Sequence, residues 1–119
     1  MTIYAISTAP GTAGLAVIRM SGPRALEALN AIVRNKEFIH SKFIKCKFYH
    51  PVNHKHLDSG LAVYFKSPKS FTGEDVVELH IHGGYANTSI ILSALASIKY
   101  LRIANQGEFT KRAFINNKI

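Results

Sequence analysis

The amino-terminal part of the chain carries two short apolar runs followed by a helical pattern. Residues 3–8 and 15–20 are apolar and rich in β-branched side chains, and the glycine- and proline-containing stretch 9–14 separates them. We therefore predict two strands joined by a loop. After Ser21-Gly22-Pro23, apolar residues at helical spacing predict a helix over 23–33 with one buried stripe, made of Leu26, Leu29, Ile32 and Val33.

The middle of the chain alternates between apolar and polar residues, which is typical of strands. Residues 42–50 predict a half-buried strand, its mate is expected at 60–66, and the polar, turn-rich stretch 51–59 is expected to connect them. Residues 67–75 are predicted to form a loop. The next strand, 75–82, should place one set of side chains on each face: Val76, Glu78, His80 and His82 on one, and Val77, Leu79 and Ile81 on the other.

The remaining residues predict two further helices and a short strand. Helical spacing covers 85–99, a short strand fits 100–104, and a third helix begins at Gly107. Strands and helices thus alternate irregularly, which favours an α+β fold. We expect a mixed or antiparallel sheet packed with about three helices, all within one domain that spans residues 1–119.

Composition indicates a folded, basic protein. Hydrophobic residues make up 47% and charged residues 18%, which excludes a disordered segment. The net charge of +8 favours a polyanionic partner, although the basic residues are spread from Arg19 to Lys118 without a dense block, so a solvated surface explains most of them.

Cysteine content and the first residues bear on the compartment. Cys46 is the single cysteine, so no internal disulfide forms, and its alternating neighbours indicate a structural strand residue in preference to a catalytic thiol. Pro10, Gly14 and Arg19 interrupt the first 20 residues, which resemble neither a secretory signal nor a membrane span. We expect a cytoplasmic protein with no membrane partner.

Two charged strand residues are candidates for a binding site. Arg19 follows Leu15 and Val17 on one strand face, where a guanidinium is costly to bury without a partner. It is either one half of an internal salt bridge or an anchor for a ligand. Glu78 is either a surface strand residue or an acceptor for two parallel donors of a planar ring.

Other residue patterns suggest chemistry only weakly. Two alternating sets resemble metal ligands, namely His54, His56 and Asp58, and Glu78, His80 and His82. The first is expected in a loop without a fourth ligand, and strand alternation alone produces the second, so we predict no metal site.

The glycines receive a similar interpretation. Gly11 and Gly14 precede a strand and therefore do not form a dinucleotide-binding motif, and the sequence contains no Walker A motif. Gly83-Gly84 opens a helix, and a simple strand-to-helix turn explains it better than an anion site does.

Several segments together resemble one known family. They cover nearly the whole chain and are Ile3-Tyr4-Ala5-Ile6-Ser7-Thr8-Ala9-Pro10-Gly11, Ile18-Arg19-Met20-Ser21-Gly22-Pro23, Ser70-Phe71-Thr72-Gly73-Glu74-Asp75, Val77-Glu78-Leu79, His82-Gly83-Gly84 and Gly107-Glu108-Phe109-Thr110-Lys111-Arg112-Ala113-Phe114. In this order they resemble the amino-terminal domain of the MnmE (TrmE) family of tRNA wobble-uridine modification GTPases.

The resemblance implies a fold and a ligand. It implies a domain similar to the folate-binding domain of the glycine-cleavage aminomethyltransferase, which binds 5-formyltetrahydrofolate or a related tetrahydrofolate and pairs with a second copy into a homodimer. The family's ligand positions fall on Arg19, Glu78 and Lys118. Glu78 is expected to bind the pterin, because a carboxylate can accept hydrogen bonds from its paired N–H donors. Arg19 and Lys118 are expected to bind carbonyl or carboxylate groups of the ligand.

The rest of the family's chemistry lies in other domains. Binding of GTP, potassium and magnesium belongs to a G domain that this chain does not contain, so we expect no GTP hydrolysis by this chain alone. An FAD-dependent MnmG-type partner and tRNA are expected partners of the full-length protein, which serves 5-(carboxymethyl)aminomethyl-type modification of the wobble uridine. The sequence departs from the family pattern at Gln106, where proline is usual, and at Asn117, where glycine is usual.

Two other functions remain open. One is a basic RNA-binding module, supported by the charge of +8 and by five tyrosines and seven phenylalanines available for stacking. The other is a stand-alone, folate-dependent enzyme similar to an aminomethyltransferase.

Overall fold

The computed structural model describes residues 1–7 and 14–119, whose strands form a single sheet. The strands are β1 (Thr2–Ile6), β2 (Leu15–Ser21), β3 (Ile44–Tyr49), β4 (His56–Phe65), β5 (Val76–His82) and β6 (Leu101–Ile103), and the helices are α1 (Ala25–Ile32), α2 (Tyr85–Ala96) and α3 (Glu108–Ile115). The strand order across the six-stranded sheet is β3-β4-β5-β2-β1-β6. The α+β prediction is therefore confirmed.

The sheet is mixed, as predicted. β1 pairs in parallel with β6, whereas the four other neighbouring pairs are antiparallel. A parallel pair requires a crossover connection, which the elements between β1 and β6 provide, whereas short connections join the antiparallel pairs β3–β4 and β4–β5. β3 and β6 are the two edges of the sheet.

One face of the sheet forms the main core with α1 and α2. Strand side chains such as Ile18, Met20 and Leu79 pack there with Leu29 of α1 and Leu95 of α2, and all five are fully buried. Burying each such side chain contributes roughly 1.5 to 3 kcal/mol. Strand alternation then directs Arg19, Glu78 and their face-mates to the opposite side of the sheet.

The predicted boundaries need one correction. β3 ends at Tyr49 and β4 begins at His56, so the connection covers 50–55 and not 51–59. The polar residues His56, Asp58 and Ser59 pair with Tyr49, Phe48 and Lys47 across the hairpin. Backbone pairing with β3 thus extends the strand where side-chain polarity predicted a loop.

The other boundaries differ by a few residues at the ends of elements. β1 ends at Ile6, and Thr8, together with the part of the predicted loop up to residue 13, lies outside the described residues. α1 begins at Ala25 and α2 ends at Ala96, slightly inside the predicted spans. Within the described ranges, no helix is both long and apolar enough to cross a membrane.

Candidate functional site

Arg19 and Glu78 form an ion pair at the centre of the sheet. They occupy directly opposed positions on the antiparallel strands β2 and β5. The Nη2 and Nε atoms of Arg19 lie 3.0 Å and 3.2 Å from Oε2 of Glu78. Their side chains are 26% and 18% exposed, so solvent still reaches both. The pair therefore combines partial burial with access to solvent.

Three further side chains complete a small surface, which we call the Glu78 face. His80, two residues along β5, places Nε2 3.2 Å from Oε1 of Glu78. The Phe43 ring contacts the His80 ring edge to face, with 5.2 Å between centroids. The Phe71 ring lies 5.3 Å from the guanidinium carbon of Arg19. Phe43 and Phe71 are about half exposed, so aromatic surface flanks the charges on two sides.

The loop between β4 and β5 holds Phe71 beside Arg19. Ser67 donates its amide to Asp75 and its hydroxyl to the Gly73 carbonyl, both over 2.8 Å. Thr72 is fully buried, and its hydroxyl lies 2.7 Å from that of Ser21 on β2. These side-chain bonds fix the loop against the sheet.

Lys118 contacts this same loop. Asn116 donates its side-chain amide to the Thr72 carbonyl over 2.8 Å, and the Lys118 side chain packs against Gly73. The structure thus brings Arg19 and Glu78 into direct contact and places Lys118 beside the loop that carries Phe71.

The end of α3 shows how the chain accommodates Asn117. Asn117 has a φ of 60°, the left-handed conformation for which glycine is usual and which asparagine tolerates. The Lys118 amide donates to the Ala113 carbonyl over 2.8 Å and the Asn117 amide to the Phe114 carbonyl over 3.1 Å. This is a Schellman motif, so the backbone of Lys118 is fixed without a glycine.

Arg112 anchors α3 to the sheet. Its guanidinium donates to the Glu74 carboxylate over 3.0 Å, to the Met1 carbonyl over 2.7 Å and to Glu108 over 3.2 Å. Arg102 of β6 also donates to Glu108, and this bond is the main reason that the pKa of Glu108 falls from 4.5 to about 2. The position of Lys118 therefore depends on an ionic network as well as on packing.

The two histidine sets do not form a metal site in the part of the chain that is described. Asp58 accepts hydrogen bonds from the His82 amide and from Asn87, over 2.9 Å and 3.0 Å. Burial favours a raised pKa for Asp58, but these bonds outweigh it and lower the pKa. Glu78 is engaged with Arg19 and His80. Among the described residues, no three His, Cys, Asp or Glu side chains are grouped as metal ligands.

Cys46 and the double glycine have structural surroundings. Cys46 is 2% exposed, and burial raises the pKa of its thiol, which disfavours the reactive thiolate. Gly84 precedes α2 with a φ of 97°, and its carbonyl accepts the Thr88 amide over 3.1 Å. Gly84 therefore serves the strand-to-helix turn.

Comparison with known proteins decides the family. The sequence pattern described as "GTP-binding protein TrmE N-terminus" matches residues 2–118. The chain belongs to the TrmE N-terminus family.

Relatives in this family are close in sequence but much longer. The chain is 53% identical over 118 residues to the tRNA modification GTPase MnmE of Parvibaculum lavamentivorans, covering 99% of the chain and 27% of that protein. It is 48% identical over 118 residues to the tRNA modification GTPase MnmE of Rickettsia rickettsii, covering 99% of the chain and 26% of that protein. The chain thus spans about a quarter of the length of these curated relatives.

Sequence reasoning missed three members of the Glu78 face in this TrmE N-terminus domain. The metal-ligand interpretation of His80 overlooks that its place two residues after Glu78 puts both side chains on one strand face. No local pattern indicates that Phe43 contacts His80 or that Phe71 lies beside Arg19, because tertiary packing of their segments brings these side chains together.

Proposed function

We propose that this chain is the amino-terminal module of a tRNA modification GTPase and binds a tetrahydrofolate one-carbon carrier on the Glu78 face. Membership of the TrmE N-terminus family and the names of its relatives support the first part. The observation that carries the second part is the half-open Arg19–Glu78 pair with aromatic rings beside it.

The Glu78 face has the chemistry that a reduced pterin requires. Both Arg19 bonds reach Oε2 of Glu78, and His80 contacts Oε1. A carboxylate offers about four acceptor sites, and these contacts occupy three of them. A pterin that donates both its amino and its ring N–H to Glu78 would therefore take the remaining site and displace one of the present contacts. Phe71 presents apolar surface to a flat ring, and Lys118 offers a cation beside the same loop. A bound tetrahydrofolate supplies the one-carbon unit, and these residues bind and orient it.

Exposed apolar side chains support a homodimer as part of this proposal. Leu15 is 62% and Leu61 41% exposed. Leu15 shares a strand face with Arg19, and Leu61 pairs with His80, so both border the Glu78 face. A second copy that covers this surface would remove an apolar patch from water.

The remaining activities belong to the proposed full-length protein. We place GTP, magnesium and potassium binding in a G domain outside this chain, and tRNA wobble-uridine modification with an FAD-dependent MnmG-type partner in the assembled, cytoplasmic protein. The 119-residue chain is therefore expected to bind no GTP in a nucleotide titration. Saturable binding at micromolar GTP would contradict the assignment of GTP binding to a separate domain.

Calorimetric titration with 5-formyltetrahydrofolate tests the folate site. Replacing Glu78 by alanine removes charge-assisted hydrogen bonds and should cost about 2 to 3 kcal/mol, roughly 30- to 150-fold in affinity. Arg19→Ala should also weaken binding, and Lys118→Ala should do so less because Lys118 is exposed and solvent screens its charge. Glu37→Ala removes an exposed carboxylate from the connection between α1 and β3 and is the matched control. Unchanged affinity in folded Glu78→Ala removes this residue from the site.

A further inference from the structure

A cluster of cations surrounds a cavity at the β3 edge of the sheet. The cavity measures about 280 Å³, and its lining includes Arg34, Lys36, Lys45, Lys47 and Tyr49. Arg34 and Lys36 follow α1, whereas the two lysines come from β3. We call these four cations with Tyr49 the basic edge. The fold thus gathers charges that are separated in the sequence.

The positive charge at the basic edge is poorly balanced. Six Lys or Arg residues and one acidic residue, Glu37, lie between positions 34 and 55. The four cations of the basic edge are exposed. Among the described residues, none of the ion pairs includes Lys36, Lys45 or Lys47. Mutual repulsion therefore persists unless an anion enters.

Protection of the sheet edge explains only part of this arrangement. Lysines on an edge strand discourage pairing with another chain, and Lys45 and Lys47 fit that role. Arg34 and Lys36 are not on a strand, so edge protection gives no reason for their position beside the same cavity.

Arg34 is oriented before any ligand arrives. Its guanidinium carbon lies 3.7 Å from the centroid of the Tyr49 ring, and Nη2 donates to the His54 carbonyl over 3.1 Å. A guanidinium has five N–H donors in a rigid plane, so this bond leaves donors for a second acceptor. Phosphate oxygens match that planar donor set.

We propose that the basic edge binds the phosphate backbone of RNA. This inference rests on the proposed function, because the RNA would be the tRNA on which the full-length protein acts. Several cations over an exposed surface suit a repeating phosphate chain better than a single small anion. Only β4 separates β3 from β5, which places the basic edge about 10 Å across the sheet from the Glu78 strand.

The test measures how RNA affinity depends on salt. The probe is a fluorescently labelled, unmodified tRNA transcript titrated with the 119-residue chain at several salt concentrations. In the double variant Lys45→Ala, Lys47→Ala, the slope of log affinity against log salt should become shallower by about 2, roughly one unit for each lost phosphate contact. Arg34→Ala should weaken binding further.

A matched variant separates a located site from general charge. Lys69→Ala, Lys111→Ala removes the same charge from exposed positions in the 66–75 loop and α3, neither of which lines the cavity. It should change the slope much less. Equal changes in both double variants, or equally tight binding of poly-glutamate at the same salt, would overturn the proposal.

Folate titration of the same proteins distinguishes the two proposals. The Lys45→Ala, Lys47→Ala variant should bind 5-formyltetrahydrofolate as the parent chain does. If the Lys45→Ala, Lys47→Ala variant shows no change in the salt dependence of tRNA binding while the parent chain binds folate, only the RNA proposal is wrong. If the parent chain does not bind folate, but the salt dependence of tRNA binding still changes only in the basic-edge variant, only the folate proposal is wrong.

Discussion

The Nη2 atom of Arg19 lies 3.0 Å from Oε2 of Glu78, across the antiparallel pair β2 and β5. The sequence left an internal salt bridge and a ligand anchor open for Arg19, and the salt bridge is present. Two of the three expected ligand residues, Arg19 and Glu78, are thus each other's ionic partner. A ligand that uses Glu78 consequently meets a carboxylate already held in place by a guanidinium.

The Arg19–Glu78 pair should contribute measurably to stability. Each side chain is less than a third exposed, so the exposure of this pair is intermediate between that of a solvated ion pair and that of a buried one. We expect a coupling free energy of about 1 to 2 kcal/mol in a double-mutant cycle with Arg19→Met and Glu78→Gln, measured by urea unfolding.

A second ion pair in the chain is the control for that cycle. Arg24 and Glu27 lie three positions apart and are about half exposed, so solvent screens them and their coupling should be much smaller. A coupling at Arg19–Glu78 no larger than at Arg24–Glu27 would show that the pair has no structural role.

The sequence predicted the order of elements because periodicity is a local property. Val77 and Leu79 on one face and Glu78 and His80 on the other follow directly from strand alternation. Contact between Arg19 and Glu78 does not follow, because it depends on the register of strands whose paired residues are 59 positions apart.

The same reasoning explains what local sequence patterns did not predict. The polar stretch after β3 was predicted as a loop, but its end from His56 onward belongs to β4, because pairing with β3 satisfies its backbone groups. The basic residues are spread along the sequence, and the packing of α1 against the sheet brings Arg34 to the cavity beside Lys45. Both results depend on tertiary contacts that local patterns do not contain.

Gly60 is expected to tolerate no side chain. A Cβ atom at this position of β4 would lie 2.0 Å from the His80 carbonyl oxygen of β5, which is backbone and unable to swing aside. We predict that Gly60→Ala lowers the free energy of unfolding by about 3 kcal/mol through overpacking. Because His80 contacts Glu78, folate affinity should fall as well.

Gly14→Ala provides the comparison for Gly60→Ala. No described atom lies within 4 Å of a Cβ placed on Gly14. Urea unfolding of both variants should show a large loss for Gly60→Ala and little change for Gly14→Ala. Similar stabilities for the two variants would mean that β4 and β5 do not approach as closely as the structure shows.

Acid should destabilise the domain through Glu108. The hydrogen bond from Arg102 is the main cause of its lowered pKa, from 4.5 to about 2. Because the folded state binds the proton more weakly than the unfolded state, the stabilisation is fully present above pH 4.5 and is lost progressively as the pH falls toward about 2. Stability measured by urea unfolding should therefore decline with falling pH in this window.

Two variants locate that pH dependence at α3. Glu108→Gln removes the titrating group, so its unfolding free energy should be lower at neutral pH and should decline less between pH 4.5 and about 2. Arg102→Met removes the main cause of the shift and should likewise flatten the profile, while leaving Glu108 paired with Arg112. A profile as steep in Glu108→Gln as in the parent chain would assign the acid sensitivity to other carboxylates and would contradict the role of Glu108 in holding α3 against β6.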